Sequence, residues 1–126
     1  MQLQDAKVLL VEDNLDSQEV VSRILKYLRV DTHIVASSED AIDALGQHTF
    51  DLAVVDLALP QMDGWGLLNF VRNNPEMNHL PIVAITAYHS PEVAVKALEA
   101  GFNAYFPKPL DTTHFARQLE NIIKGI

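Results

Sequence analysis

The most informative segment of the chain runs from Asp51 to Gly64 and reads DLAVVDLALPQMDG. Residues 52–55 form an apolar run with the length and composition of a strand that is buried on both faces. Asp56 follows this run directly, and residues 57–64 contain the proline and glycine that are typical of a turn. The segment therefore predicts one carboxylate at the carboxyl end of a buried strand, which is where open α/β sheets bind their ligands.

Polar residues also follow three other apolar runs of the chain. They are Glu12 and Asp13 after the first run, Thr86 after a later run and Lys108 after the last. The carboxyl ends of parallel strands meet at one edge of a sheet. With Asp56, a parallel arrangement therefore gathers three carboxylates, a hydroxyl and an ammonium at that edge. A magnesium ion and a phosphoryl group are natural ligands of such a set.

Strands and helices alternate strictly along the sequence. The predicted strands are residues 7–11, 32–35, 52–55, 81–85 and 103–106. The predicted helices begin at Asn14, Ser38, Asp63, Ser90 and Asp111 or Thr112, and their predicted ends include Gly46 and Gly101. Such alternation implies right-handed crossovers and a parallel sheet with helices on both faces. No linker or repeat interrupts it, so we expect one domain over residues 1–126.

The composition limits the class of protein. A length of 126 residues with 48% hydrophobic and 21% charged residues is typical of one globular domain. The formal net charge of -8 disfavours direct contact with nucleic acid, because the phosphate backbone repels it. No apolar run approaches the roughly 18 residues of a membrane span, and the first residues lack the pattern of a signal peptide. We therefore expect a cytoplasmic protein without direct nucleic-acid or membrane contacts.

Three carboxylates close together need a positive partner. Two carboxylates about 4 Å apart repel each other by roughly 4 kcal/mol at an effective dielectric constant of about 20. Magnesium suits hard oxygen ligands and leaves coordination positions for water and phosphate. It would offset the charge of a phosphoryl group under attack by a carboxylate, and Asp56 is the central candidate for that nucleophile. Lys108 and Thr86 would then contact the phosphoryl oxygens.

Four motifs are similar to those of a known family. They are VEDN at residues 11–14, DLALPQMDG at 56–64, ITA at 85–87 and KPL at 108–110. Through these motifs the whole chain resembles the CheY-like receiver domains of the response regulators of two-component signalling systems. The resemblance implies a flavodoxin-like three-layer α/β sandwich, with a five-stranded parallel sheet in the order 2-1-3-4-5 and five helices.

The resemblance also implies a role for each site residue. Asp56 is the phosphoacceptor, and its phosphoryl group comes from the phosphohistidine of a histidine kinase or a histidine phosphotransfer protein. The implied magnesium ligands are the side chains of Glu12, Asp13 and Asp56 and the backbone carbonyl of Ala58. Thr86 and Lys108 contact the phosphoryl group, and the peptide bond between Lys108 and Pro109 is cis. A domain of this kind is not a general enzyme, since it catalyses only its own phosphorylation and dephosphorylation.

Two further implied features concern switching and signal lifetime. Tyr105 turns inward together with Thr86 on activation, and a downstream protein binds the face formed by helix 4, strand 5 and helix 5. Ala58 and Tyr88 flank the path of the water that hydrolyses the phosphoryl group. These residues are therefore expected to control how the signal is transmitted and how long it lasts.

Alternatives to a phosphorylated switch remain at this point. An aspartyl phosphatase needs a second acid two residues after its nucleophile, and this chain has Ala58 there. A receiver-like module that binds partners without phosphorylation is the principal alternative, although every residue needed for the chemistry is present. A stand-alone regulator and a domain of a hybrid kinase or larger regulator are both compatible with the sequence.

Overall fold

The computed structural model describes residues 2–125, and the predicted domain limits at residues 1 and 126 lie just outside them. The strands are β1 Lys7–Val11, β2 Asp31–Val35, β3 Leu52–Asp56, β4 Ile82–Thr86 and β5 Ala104–Pro107. The helices are α1 Leu15–Tyr27, α2 Ser38–Gln47, α3 Gly64–Arg72, α4 Pro91–Ala100 and α5 Thr112–Lys124. A short 3-10 turn at Leu3–Asp5 precedes β1.

All neighbouring strands pair in parallel, and the sheet has the order β2-β1-β3-β4-β5. The register places Val11 opposite Val55 and Asp56 opposite Ile85. The first residues after β1 and the last residue of β3 therefore reach the same edge of the sheet. The predicted flavodoxin-like α/β sandwich with five strands and five helices is confirmed.

Two hydrophobic clusters cover the two faces of the sheet. Leu52 and Val54 of β3 pack into the cluster that includes α1 and α5. Ala53 and Val55 point to the opposite face and pack with α2, α3 and α4. Every residue of β3 is buried, so the strand that carries Asp56 is held on both faces. This packing places the carboxylate on a rigid element.

Side-chain caps fix the starts of the helices. The N-caps are Asn14, Ser37, Asp63, Ser90 and Asp111, and each accepts a backbone N–H of the first turn. Gly101 has a φ of 120° and ends α4 as predicted. The prediction that Gly46 ends α2 is wrong, because α2 continues to Gln47 and Gly46 has no positive φ. A glycine ends a helix through the left-handed region, and Gly46 does not occupy it.

No helix within residues 2–125 combines the length and apolar content that a bilayer crossing requires.

Candidate functional site

A cluster of three carboxylates lies at the carboxyl edge of the sheet. Glu12 and Asp13 follow β1, Asp56 ends β3, and one ligand oxygen from each lies within 4.8 Å of the others. Glu12 and Asp56 are buried, whereas Asp13 is exposed. Hard oxygens on one side and solvent on the other suit magnesium, which binds few protein ligands and keeps several waters. The acid cluster therefore fits the ion that the sequence predicts.

Lys108 links the acid cluster to two other elements. Its Nζ donates to Glu12 Oε2 and Asp56 Oδ2, both at 2.8 Å, and to Ser17 Oγ at 3.0 Å. An ammonium has three donors, so these contacts use all of them. The backbone N–H of Lys108 also donates to the carbonyl of Thr86 at 2.8 Å, and the peptide bond to Pro109 is cis, as predicted. Lys108 is thus held from the ends of β1, β3 and β4.

The charges of the site perturb each other. Burial raises the pKa of Glu12 to about 7, and its hydrogen bond and repulsion with Asp56 act in the same direction against the attraction of Lys108. Burial lowers the pKa of Lys108, but its hydrogen bonds to Asp56 and Glu12 outweigh burial and raise it. Glu12 therefore takes up a proton near neutral pH, while Lys108 stays charged.

The turn after β3 orients the Asp56 carboxylate. Its Oδ1 accepts the backbone N–H of Ala58 at 2.8 Å, while Lys108 holds the other oxygen. The turn closes where the N–H of Gly64 donates to the carbonyl of Leu57 at 3.2 Å. A Cβ at Gly64 would lie 2.5 Å from the backbone oxygen of Asp56, so only glycine fits this close approach. The DG pair that opens α3 thus supports the position of the carboxylate.

Thr86 ends β4, and Tyr88 lies on the loop that follows this strand at the sheet edge. Thr86 is buried, and its Oγ1 accepts the backbone N–H of Tyr88 at 3.0 Å. The Tyr88 side chain is 76% exposed. The hydroxyl of Thr86 therefore accepts a hydrogen bond from the loop after β4, and the ring of Tyr88 lies in solvent.

Tyr105 is held by a residue that the sequence did not single out. Its hydroxyl lies 2.9 Å from Nδ1 of His89, and the two ring centroids are 5.5 Å apart. Tyr105 is half-buried against the hydrophobic cluster on the α2, α3 and α4 side, and its burial raises its pKa. The contact connects the loop before α4 to β5.

The predicted site residues fall into two groups. Glu12, Asp13, Asp56 and Lys108 come together at the acid cluster. Thr86 ends β4, Ala58 and Tyr88 lie on the loops after β3 and β4, and Tyr105 lies on β5 in contact with the second of these loops. Sequence reasoning missed Ser17 and His89. The one available signal for Ser17 was its place in the first turn of the helix that starts at this edge.

A flavodoxin-like sheet that carries carboxylates and a lysine at its carboxyl edge is the architecture of a receiver domain. The chain matches the family model of the response regulator receiver domain over residues 8–120. It is 31% identical to the chemotaxis protein CheY-3 of Vibrio cholerae over 121 residues, which cover 95% of this chain and 93% of that protein. The chain therefore belongs to the response regulator receiver domain family, whose standard function is a phosphorylation-activated signalling switch.

Solved structures of other proteins are also similar to this chain. A putative response regulator from Chloroflexus aurantiacus has a TM-score of 0.91 and 28% identity, covering 95% of this chain and 98% of that chain. The receiver domain of a sensor histidine kinase from Pseudomonas aeruginosa has a TM-score of 0.86 and 29% identity with the same coverage, and it has magnesium coordinated in its active-site cleft. Receiver domains bind magnesium at an acidic pocket, are phosphorylated by histidine kinases and act on downstream effectors.

Proposed function

We propose that residues 1–126 form one receiver domain that accepts a phosphoryl group on Asp56. The donor is the phosphohistidine of a histidine kinase or histidine phosphotransfer protein. The observation that carries this proposal is the buried Asp56 carboxylate, held by Ala58 and Lys108 beside two further acids. As in its family, we place this domain in the cytoplasm.

The acid cluster would hold magnesium. Its proposed ligands are the side chains of Glu12, Asp13 and Asp56 and the backbone carbonyl of Ala58. When bound there, magnesium offsets the negative charge that builds on the phosphoryl oxygens during transfer. Asp13 is exposed, so this side of the acid cluster is accessible from solvent.

The transfer needs few protein groups. A carboxylate oxygen of Asp56 forms a bond to phosphorus while the bond from phosphorus to the donor histidine nitrogen breaks. Lys108 then pairs with a phosphoryl oxygen in place of the Asp56 oxygen it now contacts. Thr86 donates its hydroxyl hydrogen to a second phosphoryl oxygen. The domain thus promotes only its own phosphorylation and the later hydrolysis.

Switching follows from the movements of Thr86 and Tyr105. As Thr86 turns toward the phosphoryl group, Tyr105 turns inward, and its hydrogen bond to His89 breaks. The face formed by α4, β5 and α5 changes shape as a result. Val95 and Leu98 of α4 are 55% and 54% exposed, so α4 offers apolar surface to a downstream protein.

Ala58 and Tyr88 would set the lifetime of the phosphorylated state. Both side chains are exposed and lie on the loops beside Asp56 and Thr86. Ala58 has no polar atom with which to orient a water molecule. The ring of Tyr88 is large enough to cover the phosphoryl group, so both residues favour slow hydrolysis.

Binding of the phosphoryl mimic beryllium fluoride, in the presence of magnesium, tests the switch. We expect NMR chemical-shift changes around Asp56 that extend to Tyr105 and to residues of α4 and α5. Changes confined to the loops around Asp56 would contradict the switch. They would favour a module that binds its partners without regard to phosphorylation.

A further inference from the structure

Ser17, in the first turn of α1, contacts the lysine of the site. Its Oγ accepts a hydrogen bond from Lys108 Nζ at 3.0 Å, and its side chain is half-buried. Its backbone N–H donates to Asn14 Oδ1, and the next residue, Gln18, donates from Nε2 to the backbone oxygen of Glu12 at 2.5 Å. The first turn of α1 is therefore fixed by its N-cap Asn14 and by the bond from Gln18 to Glu12, the residue that follows β1.

The three acceptors of Lys108 differ in what else they can bind. Glu12 and Asp56 are carboxylates of the acid cluster, and both would exchange partners when a cation and a phosphoryl group arrive. Ser17 offers a neutral hydroxyl, which is a poorer ligand for a hard cation than a carboxylate. Ser17 is therefore the acceptor that Lys108 can keep throughout the reaction.

We propose that Ser17 is a positioning residue that holds the ammonium of Lys108 within reach of the phosphoryl group. A lysine has a flexible four-carbon stem, and fixing it when a ligand binds costs conformational entropy. The hydroxyl of Ser17 fixes Nζ beforehand, so less freedom is lost when the phosphoryl group binds. This inference rests on the proposed contact between Lys108 and the phosphoryl group.

The test measures the dissociation constant of beryllium fluoride by fluorescence or NMR at saturating magnesium. Ser17→Ala should bind it about fivefold more weakly, the loss expected for one modest hydrogen bond. Ser17→Thr keeps the hydroxyl and should bind within about twofold of wild type. Ser17→Val has the shape of threonine without the hydroxyl and should behave like Ser17→Ala. The comparison of Ser17→Thr with Ser17→Val shows whether the hydroxyl affects binding even if Ser17→Ala folds poorly.

Ser22→Ala is the matched control on the same helix. Ser22 Oγ donates to the backbone carbonyl of Gln18 and does not contact the acid cluster. This variant should bind beryllium fluoride as wild type does. A loss equal to that of Ser17→Ala would assign the effect to the stability of α1 and overturn the inference.

A double-mutant cycle separates positioning from general damage. Lys108→Ala should itself weaken binding, and adding Ser17→Ala to it should cause no further loss. An equal loss in both backgrounds would overturn the role of Ser17. If wild type binds and Lys108→Ala is weakened while Ser17→Val is not, only the Ser17 inference fails. If wild type does not bind beryllium fluoride, the proposed function fails with it.

Discussion

Lys108 Nζ lies 2.8 Å from Asp56 Oδ2, and the two side chains are only 16% and 7% exposed. The carboxylate proposed to accept the phosphoryl group is thus already paired with the ammonium group proposed to bind a phosphoryl oxygen. Because the pair is shielded from water, its attraction is weakly screened. A change of the Lys108 partner from a carboxylate to a phosphoryl oxygen is then a natural trigger for switching.

Lys108→Ala should uncouple phosphorylation from switching. A change from about 1% to about 99% active needs a preference of roughly 5.5 kcal/mol for the active state. The charged hydrogen bond from Lys108 supplies much of this preference. We expect the variant to be phosphorylated by acetyl phosphate while the NMR signals of Tyr105 stay at their unphosphorylated positions. Lys26→Ala, at an exposed position of α1, is the control and should switch normally; a normal response of Lys108→Ala would contradict the trigger.

Much of the fold and of the acid cluster is predictable from the sequence. The apolar run of β3, the helix caps and the alternation of elements determine the sheet edge, so Glu12, Asp13, Asp56 and Lys108 could be placed together. Their convergence depends on strand order and parallel pairing, which local patterns and family motifs both indicate.

Contacts made by side chains across the fold could not be predicted. Ser17 and Lys108 are 91 positions apart, and His89 and Tyr105 are 16 apart. These contacts depend on rotamers and on the path of the loops, which leave no periodic signal in the sequence. The prediction for Gly46 is wrong for a different reason. A glycine inside a helix is tolerated, and α2 continues past this one, which is surrounded by solvent and does not form a left-handed turn.

The raised pKa of Glu12 predicts a pH dependence of stability in the metal-free protein. Glu12 has a pKa of 4.5 when unperturbed and about 7 in the fold, so between these values only the folded chain keeps this proton. Stability from this group is complete below pH 4.5 and is lost as the pH rises through about 7, by roughly 3 kcal/mol. Denaturant unfolding in chelator should show that the free energy of unfolding declines less with rising pH in Glu12→Gln than in wild type. A decline of equal size in both proteins would contradict the assignment.

Magnesium should stabilise the fold through the acid cluster. An ion that binds only the native state adds about 1.4 kcal/mol at ten times its dissociation constant. Wild type should therefore melt at a higher temperature in magnesium, while Asp13→Ala should melt higher than wild type without metal and respond little to the ion. The metal-free gain should be small, since Asp13 is exposed and Lys108 already offsets the other two acids. Asp16→Ala is the control, and if Asp13→Ala responds to magnesium as this control does, Asp13 is not a ligand.

The phosphorylated state should persist for minutes or longer without a partner phosphatase. The measurement is loss of the phosphoryl group in saturating magnesium. Tyr88→Ala should shorten the lifetime because it uncovers the phosphoryl group, whereas Tyr88→Phe keeps the ring and should match wild type. The backbone hydrogen bond from Tyr88 to Thr86 survives in both variants. An unchanged rate in Tyr88→Ala, or a wild-type lifetime of seconds, would show that the ring does not shield the site.

Asp56 is proposed to accept a phosphoryl group with the help of magnesium at the acid cluster. The most direct measurement is the intact mass of the protein after incubation with acetyl phosphate. Wild type should gain one phosphoryl group in magnesium and none in excess chelator, and Asp56→Asn should gain none in either condition. Equal labelling of wild type and Asp56→Asn, or labelling of wild type in chelator, would contradict the account.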